Sequence, residues 1–361
     1  MTTTHGGDVL SAVSRYGGEA DAYLDFSANI NPLGPPDSVI DLLRERAADP
    51  RALMRYPDPY YRILREKLAF HTACAPDAIV VANGTAALLD AVIRAVQPAS
   101  CLLPTPAFSE YRRALDAARS QTLCFPLQAE ADFALDCEAL RAELESLRPS
   151  LCIVTNPHNP SGALIPHEKL RTIVELTGSL GIPTILDEAF IDYVPEHSLT
   201  QIAPRSSHLV VLRSLTKFYA IPAMRVGYAV TSPALARAIA PHIPSWPVTT
   251  LAADAAAAAL GNPLYEERTR SLNARERERL ARRLGAISLR VWPSAANFLL
   301  VSTGNDDAAP LSANLARRGI LVRDCSSYEG LEHGGYLRVA VRMHEENQRL
   351  IEALTNERLP A

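Results

Sequence analysis

Lys217 stands in "RSLTKFYAIPAMRVGY" (213–228), and lysine is scarce in this chain. Of 36 Lys and Arg residues, only Lys67, Lys169 and Lys217 are lysines. Arginine serves as a surface charge but stays protonated, whereas a desolvated lysine can lose its proton and act as a nucleophile. A lysine kept between Thr216 and Phe218 points to covalent chemistry at an amine. Other reactive side chains close apolar runs. Asp187 sits in "ILDEAF", where a buried carboxylate needs a cationic or hydrogen-bonding partner; a capping role is the competing reading. Asn156 and Asn159 each precede a proline in "TNPHNPSG", where a Pro-rich turn is the alternative. Gly84 and Thr85 end one run and open a helix, a junction whose free N–H groups and dipole suit an anion. A simple turn accounts for that junction equally well.

Together these residues make a consistent set. Gly84, Thr85, Ser214, Thr216 and Arg225 form an anion cradle, Asp187 supplies a carboxylate, Asn159 an amide and Lys217 an amine. A phosphorylated cofactor with an aldehyde and a protonated ring nitrogen uses every member of the set. Pyridoxal 5′-phosphate is that molecule, with a lysine to bond its aldehyde and an aspartate to keep its pyridinium charged. Phe108, in "TPAFSEY", is placed to stack on the ring.

These residues must be held by a scaffold, and the hydrophobic pattern supplies one. Seven apolar runs, at 78–84, 101–106, 122–127, 151–157, 183–189, 209–215 and 226–232, alternate with helical stretches. That pattern predicts an α/β domain around a largely parallel, seven-stranded sheet, whose ligands lie beyond the carboxyl ends of the strands. After "PSWPV" (244–248) the character changes to an Ala/Arg-rich helical tract, then strand-like "SLRVWP", "NFLLVS" and "YLRVAVR". The expected division is a segment 1–45 that joins the small domain or covers the site, a large domain 46–245 and a small α+β domain 246–361.

The bulk properties narrow the function classes. A net charge of −4 and arginines interleaved with acids give no basic footprint for nucleic acid. Cys74, Cys101, Cys124, Cys137, Cys152 and Cys325 are scattered, without CxxC or a Cys/His cluster, so neither a disulfide framework nor a metal is expected. "MTTTHGGDVL" lacks the plan of a signal peptide, and "LAADAAAAALG" is too short to span a bilayer. A cytoplasmic protein without membrane contact is expected.

In order along the chain, "NGT", "PTPAFSEY", "NPHNPSG", "DEAF" and "SLTK" with Arg225 resemble the fold-type I pyridoxal-phosphate enzymes. Histidinol-phosphate aminotransferases share this plan, including "RYPD" at 55–58. "HGGDV", "DFSANINPLGPP" (25–36), "DEAFIDYVP" and "YLRVAVR" are more narrowly similar to the threonine-phosphate decarboxylases of cobalamin biosynthesis. The resemblance implies that Lys217 holds the cofactor, Asp187 pairs with its ring nitrogen, Asn159 reaches the ring hydroxyl and Arg225 the phosphate. It also implies that Tyr56 reaches that phosphate across a homodimer interface. His5, Gly6, Asn29, Asn159, Arg323 and Arg338 would then hold a phosphorylated amino acid.

The implied reaction converts O-phospho-L-threonine to (R)-1-aminopropan-2-yl phosphate and CO₂. The alternative is an aminotransferase acting on histidinol phosphate or a similar phosphorylated amine. Phe190 counts against it. Aminotransferases of this type usually carry a tyrosine three residues after the aspartate, and phenylalanine cannot donate to the ring hydroxyl. Ala86-Ala87 also replace a hydroxyl–glutamate pair common in relatives, leaving backbone N–H groups to do more of the phosphate binding. A non-catalytic sensor attached to a DNA-binding domain is not expected, since "MTTTHGG" leaves no room for one.

Overall fold

The computed structural model describes residues 6–358. Thirteen strands occur among them: β1 (Leu24–Asp25), β2 (Ile79–Ala82), β3 (Ser100–Thr105), β4 (Gln121–Pro126), β5 (Leu151–Thr155), β6 (Thr184–Asp187), β7 (Leu209–Ser214), β8 (Gly227–Thr231), β9 (Arg290–Val291), β10 (Phe298–Ser302), β11 (Ile320–Leu321), β12 (Arg323–Asp324) and β13 (Tyr336–Ala340).

The seven apolar runs become β2 to β8 and form one sheet, in the order β2-β8-β7-β6-β5-β3-β4. Only β8 runs against its neighbours β2 and β7. Successive residues feed opposite faces: Ile153, Ile185 and Val210 join one buried cluster, while Val154, Leu186 and Val211 join the other. A strand covered on both faces has no polar side to show, which is why these segments read as continuous apolar runs rather than as alternation.

A second, antiparallel sheet has the order β12-β13-β10-β9. The amino-terminal segment is stitched to this part, because β1 pairs in parallel with β11 and Phe26 enters its buried cluster. The helix Asp37–Ala48, by contrast, sends Val39 into the core of the large sheet.

The compositional change near residue 245 comes before the change of core. The alanine-rich helix Thr250–Ala259 packs on the helices Asp37–Ala48 and Arg62–Thr72 and buries five alanines in the large-sheet core. Its small side chains let the three helices approach closely. The exchange takes place along the next helix, Pro263–Ala286. Its Tyr265 bonds the backbone of Gly34 and packs on the large core, while Leu280 and Leu284 lie in the small one. The two parts also meet where Trp292 Nε1 and Arg290 Nη2 both donate to the carbonyl of Ala129, at 2.9 and 2.7 Å. Chain ends of β2, β5, β6 and β7, and the start of β8, thus share one edge facing the small domain's β12 and β13.

Candidate active site

Ser214 ends β7 and caps the one-turn helix Leu215–Phe218, its hydroxyl lying 2.7 Å from that of Thr216. The turn carries Lys217 off the sheet edge, and its Nζ donates to Thr216 Oγ1 at 2.8 Å. Burial, reinforced by the nearby Arg225 guanidinium, pushes the Lys217 ammonium down to about 8. The amine is therefore available near neutrality in a way that an exposed lysine is not.

Asp187 closes β6 in register with Thr155 of β5 and is buried. Tyr111 donates to its Oδ2 at 2.7 Å and the Ala189 N–H to its Oδ1 at 2.9 Å. Burial pushes this carboxyl up, against the opposing pull of both donors and of Lys217. The strand pleat separates it from its neighbour. Glu188 turns away to Arg213 at 3.5 Å, Ser198 at 2.6 Å and the Leu199 N–H at 2.7 Å.

Gly84 opens the helix Gly84–Val96 at φ 77°, a conformation that disfavours side chains. A Cβ there would stand 3.0 Å from Arg225 Nη2, so the guanidinium lies directly over the helix start. Across from it, a Cβ on Gly227 would come within 2.8 Å of the Thr85 nitrogen. Two glycines thus let the start of β8 and the helix N-terminus meet with an arginine above them. Phe108 immediately precedes the helix Ser109–Ala117, with its ring edge-on to Tyr111 at 5.8 Å. A half-buried amine, a cationic cradle with two adjacent hydroxyls and a buried carboxylate fit the aldehyde, phosphate and ring nitrogen of pyridoxal phosphate.

Facing this edge, Arg338 of β13 is buried among neutral acceptors. It donates to Asn159 Oδ1 at 2.6 Å and to the Ser27 carbonyl at 3.0 Å, and its buried Nε has no hydrogen-bond partner among the described residues. Arg323 of β12 stands directly opposite in register, bonding Ser327 at 2.9 Å and lying 5.6 Å over the Tyr328 ring. Asn29 is buried, and its Oδ1 has no hydrogen-bond partner among the described residues. Gly6 rests on Ser27, where any Cβ would collide with the carbonyl oxygen, and the Gly7 N–H bonds Ser27 Oγ at 2.9 Å. Ser27 thereby links the amino-terminal segment to Arg338. His5 lies outside the described residues.

Tyr56 is not brought into this cluster within one chain. Its side chain is 79% exposed and packs on Trp246 at 4.7 Å. Near it in the sequence, Leu53, Met54, Tyr60, Ile63 and Phe70 also face outward.

Sequence reading missed several contributors. Tyr111 follows Phe108 by three residues, one helical turn, and that spacing is the signal that could have found it. Ser27 and Tyr328 reach Arg338 only through the fold. His158 ties the "NPHNP" turn to the end of β3, with Nε2 donating to the Pro106 carbonyl at 2.8 Å and Nδ1 accepting from Ser161 at 2.7 Å. Burial pushes this imidazole down to about 4, so it stays neutral and structural.

The family model for aminotransferase class I and II matches residues 21–354. The chain is 38% identical, over 99% of its length and 97% of the relative's, to a threonine-phosphate decarboxylase of Salmonella typhimurium. It is 30% identical over 98% of its length to the adenosylcobalamin biosynthesis bifunctional protein CobDQ of Leptospira interrogans, covering 41% of that longer protein. Among solved structures, the histidinol-phosphate aminotransferase of Clostridium acetobutylicum superimposes with a TM-score of 0.85 at 28% identity, over 92% of this chain and 98% of the other.

Proposed function

The chain belongs to the aminotransferase class I and II family, and on that premise we propose that it is a pyridoxal-phosphate-dependent decarboxylase. Its substrate is O-phospho-L-threonine and its products are (R)-1-aminopropan-2-yl phosphate and CO₂, in cobalamin biosynthesis. The full-length identity to a threonine-phosphate decarboxylase supports this reading. So does one observation above others: two buried arginines, Arg323 and Arg338, are cross-strand partners, and Arg338 bonds Asn159 and lies close enough to Lys217 to lower its pKa.

When bound, the cofactor supplies an aldehyde that captures amines and a conjugated ring that accepts an electron pair from the substrate's Cα. The residues here divide the remaining work. Lys217 would hold the cofactor through its aldehyde, and its amine, made available by burial, would be the group to move a proton at the substrate's Cα. Asp187 holds the proton of the ring nitrogen. Arg225, Ser214, Thr216 and the N–H groups of Gly84 and Thr85 bind the cofactor phosphate. Asn159, whose Oδ1 accepts from Arg338, would have its amide NH₂ left for the ring hydroxyl. With the substrate's phosphate on the arginine pair, its carboxylate is left without a full guanidinium partner. Loss of CO₂ is then not opposed by an ion pair that would have to break.

Two further features accord with this reading. The outward-facing Leu53, Met54, Tyr56, Tyr60, Ile63 and Phe70 support a homodimer in which Tyr56 reaches the partner's cofactor phosphate. No described helix is long and apolar enough to cross a membrane. Phe190 packs edge-on against Phe298 at 5.0 Å and offers no hydroxyl to the ring, against the alternative of amino transfer. Purified protein should release CO₂ from O-phospho-L-threonine and leave histidinol phosphate with 2-oxoglutarate untouched; the reverse pattern would make it an aminotransferase.

A further inference from the structure

We propose that Tyr111 is a positioning residue for the reaction, fixing the carboxylate of Asp187 toward the cofactor's ring nitrogen as the last donor of a Thr155–Tyr111–Asp187 hydrogen-bond chain. The inference rests on the cofactor assignment above.

The geometry is closed on every side. Tyr111 is 2% exposed, and its hydroxyl lies 2.7 Å from Asp187 Oδ2 and 2.9 Å from Thr155 Oγ1. Thr155 and Asp187 are register partners at the ends of β5 and β6, so one phenol bridges two neighbouring strand ends from the helix above them. An ionised carboxylate only accepts, and a phenol has a single proton. Tyr111 must therefore donate to Asp187 and accept from Thr155, which gives the chain one direction. The Ala189 N–H meanwhile holds Oδ1 at 2.9 Å. With each oxygen tied to a different element, the carboxylate cannot rotate about its own bond.

The electrostatics act in the same sense. Burial favours a neutral Asp187, while the Tyr111 donor, the Ala189 N–H and the Lys217 ammonium favour the ionised form. Tyr111 is itself held well above the usual phenol range by burial and by the carboxylate beside it, so its donor is not lost. Removing the hydroxyl deletes one of few counterweights to burial. Asp187 then protonates more readily and turns more freely, and both changes weaken its grip on a protonated ring.

Tyr111→Phe keeps the ring and its packing while deleting the donor. In the otherwise native holoenzyme, turnover should fall roughly ten- to a hundredfold, the scale of a hydrogen bond to a charged group, with little change in KM. In an Asp187→Asn background the same substitution should cost less than about twofold, since Tyr111 acts through Asp187. Equal losses in both backgrounds would overturn the proposal. A second readout needs no turnover. In full-length protein stripped of cofactor and carrying carboxyl-¹³C aspartate, the Asp187 resonance, identified by its loss in Asp187→Asn, should titrate at higher pH in Tyr111→Phe. An unchanged titration would overturn it too. Both arms hold whether the reaction is decarboxylation or amino transfer, so their failure is distinct from failure of the substrate assignment.

Discussion

Arg323 and Arg338 are direct cross-strand partners on β12 and β13, both buried. Like charges opposite one another on a sheet repel, and a guanidinium cannot relieve the repulsion by losing its proton. Among the described residues Arg338 meets only uncharged acceptors, in Asn159, Ser27 and Tyr328, with its Nε left over. On the proposed function, the substrate's phosphate binds at this pair.

That relationship sets the first prediction. Arg323→Lys and Arg338→Lys should each lose about 1.5–3 kcal/mol in kcat/KM, because an ammonium cannot reproduce a planar two-point contact with phosphate. If phosphate binding aims the carboxylate, the loss appears in kcat as well as in KM. Inorganic phosphate should raise the melting temperature of the parent protein and do so less in Arg338→Gln. Full activity in either lysine variant would remove the arginine pair from the site.

Lys217 gives a pH signature. Its ammonium is pushed from 10.5 down to about 8, so below that pH most of the amine is protonated and unreactive. The rate at which cofactor-free protein captures pyridoxal phosphate should rise about tenfold per pH unit below about 8 and level off above it. Between about 8 and 10.5 the unfolded chain binds a proton the native state has released, so this group makes stability rise with pH there. Arg225→Gln removes the second cause of the shift and should move the plateau upward. Stopped-flow absorbance reads the profile; a flat rate from pH 6 to 9, or borohydride fixing cofactor to Lys67 or Lys169, contradicts the assignment.

The apolar surface around Tyr56 predicts the assembly. Ile63 and Phe70 share the outer face of the helix Arg62–Thr72, opposite the buried Leu64 and Leu68, and are 67% and 88% exposed. Phe70→Asp and Met54→Asp change no core packing, yet each should reduce the mass in solution from twice to once the 39.2 kDa chain. On the proposed role of Tyr56 in the partner's site, activity should fall with dimer content. Sedimentation equilibrium showing an unchanged mass would contradict this.

The scaffold was legible because its physics is local. Strands buried on both faces print as apolar runs, and the polar residues ending them, Ser214 and Asp187 among them, mark the sheet edge that carries the candidate site. Lys217 stood out by scarcity against arginine. Contacts closing the site were not legible, because they join distant parts of the chain. Tyr111 meets Asp187 from 76 residues away, and Ser27 meets Arg338 from 311. The cross-strand pairing of Arg323 with Arg338 depends on a register that no spacing in the sequence reveals. Composition likewise grouped the alanine-rich helix Thr250–Ala259 with the residues after it, although small side chains let it pack into the preceding core.

The most direct test of the central claim follows one carbon. Protein loaded with pyridoxal phosphate is given carboxyl-¹³C O-phospho-L-threonine together with excess 2-oxoglutarate, and the label is tracked by ¹³C NMR. Phosphate anchoring by Arg323 and Arg338 with decarboxylation at Lys217 predicts that the label moves into CO₂ and bicarbonate while 2-oxoglutarate is not consumed. Retention of the label in an organic acid, with glutamate formed in equal amount, would contradict it.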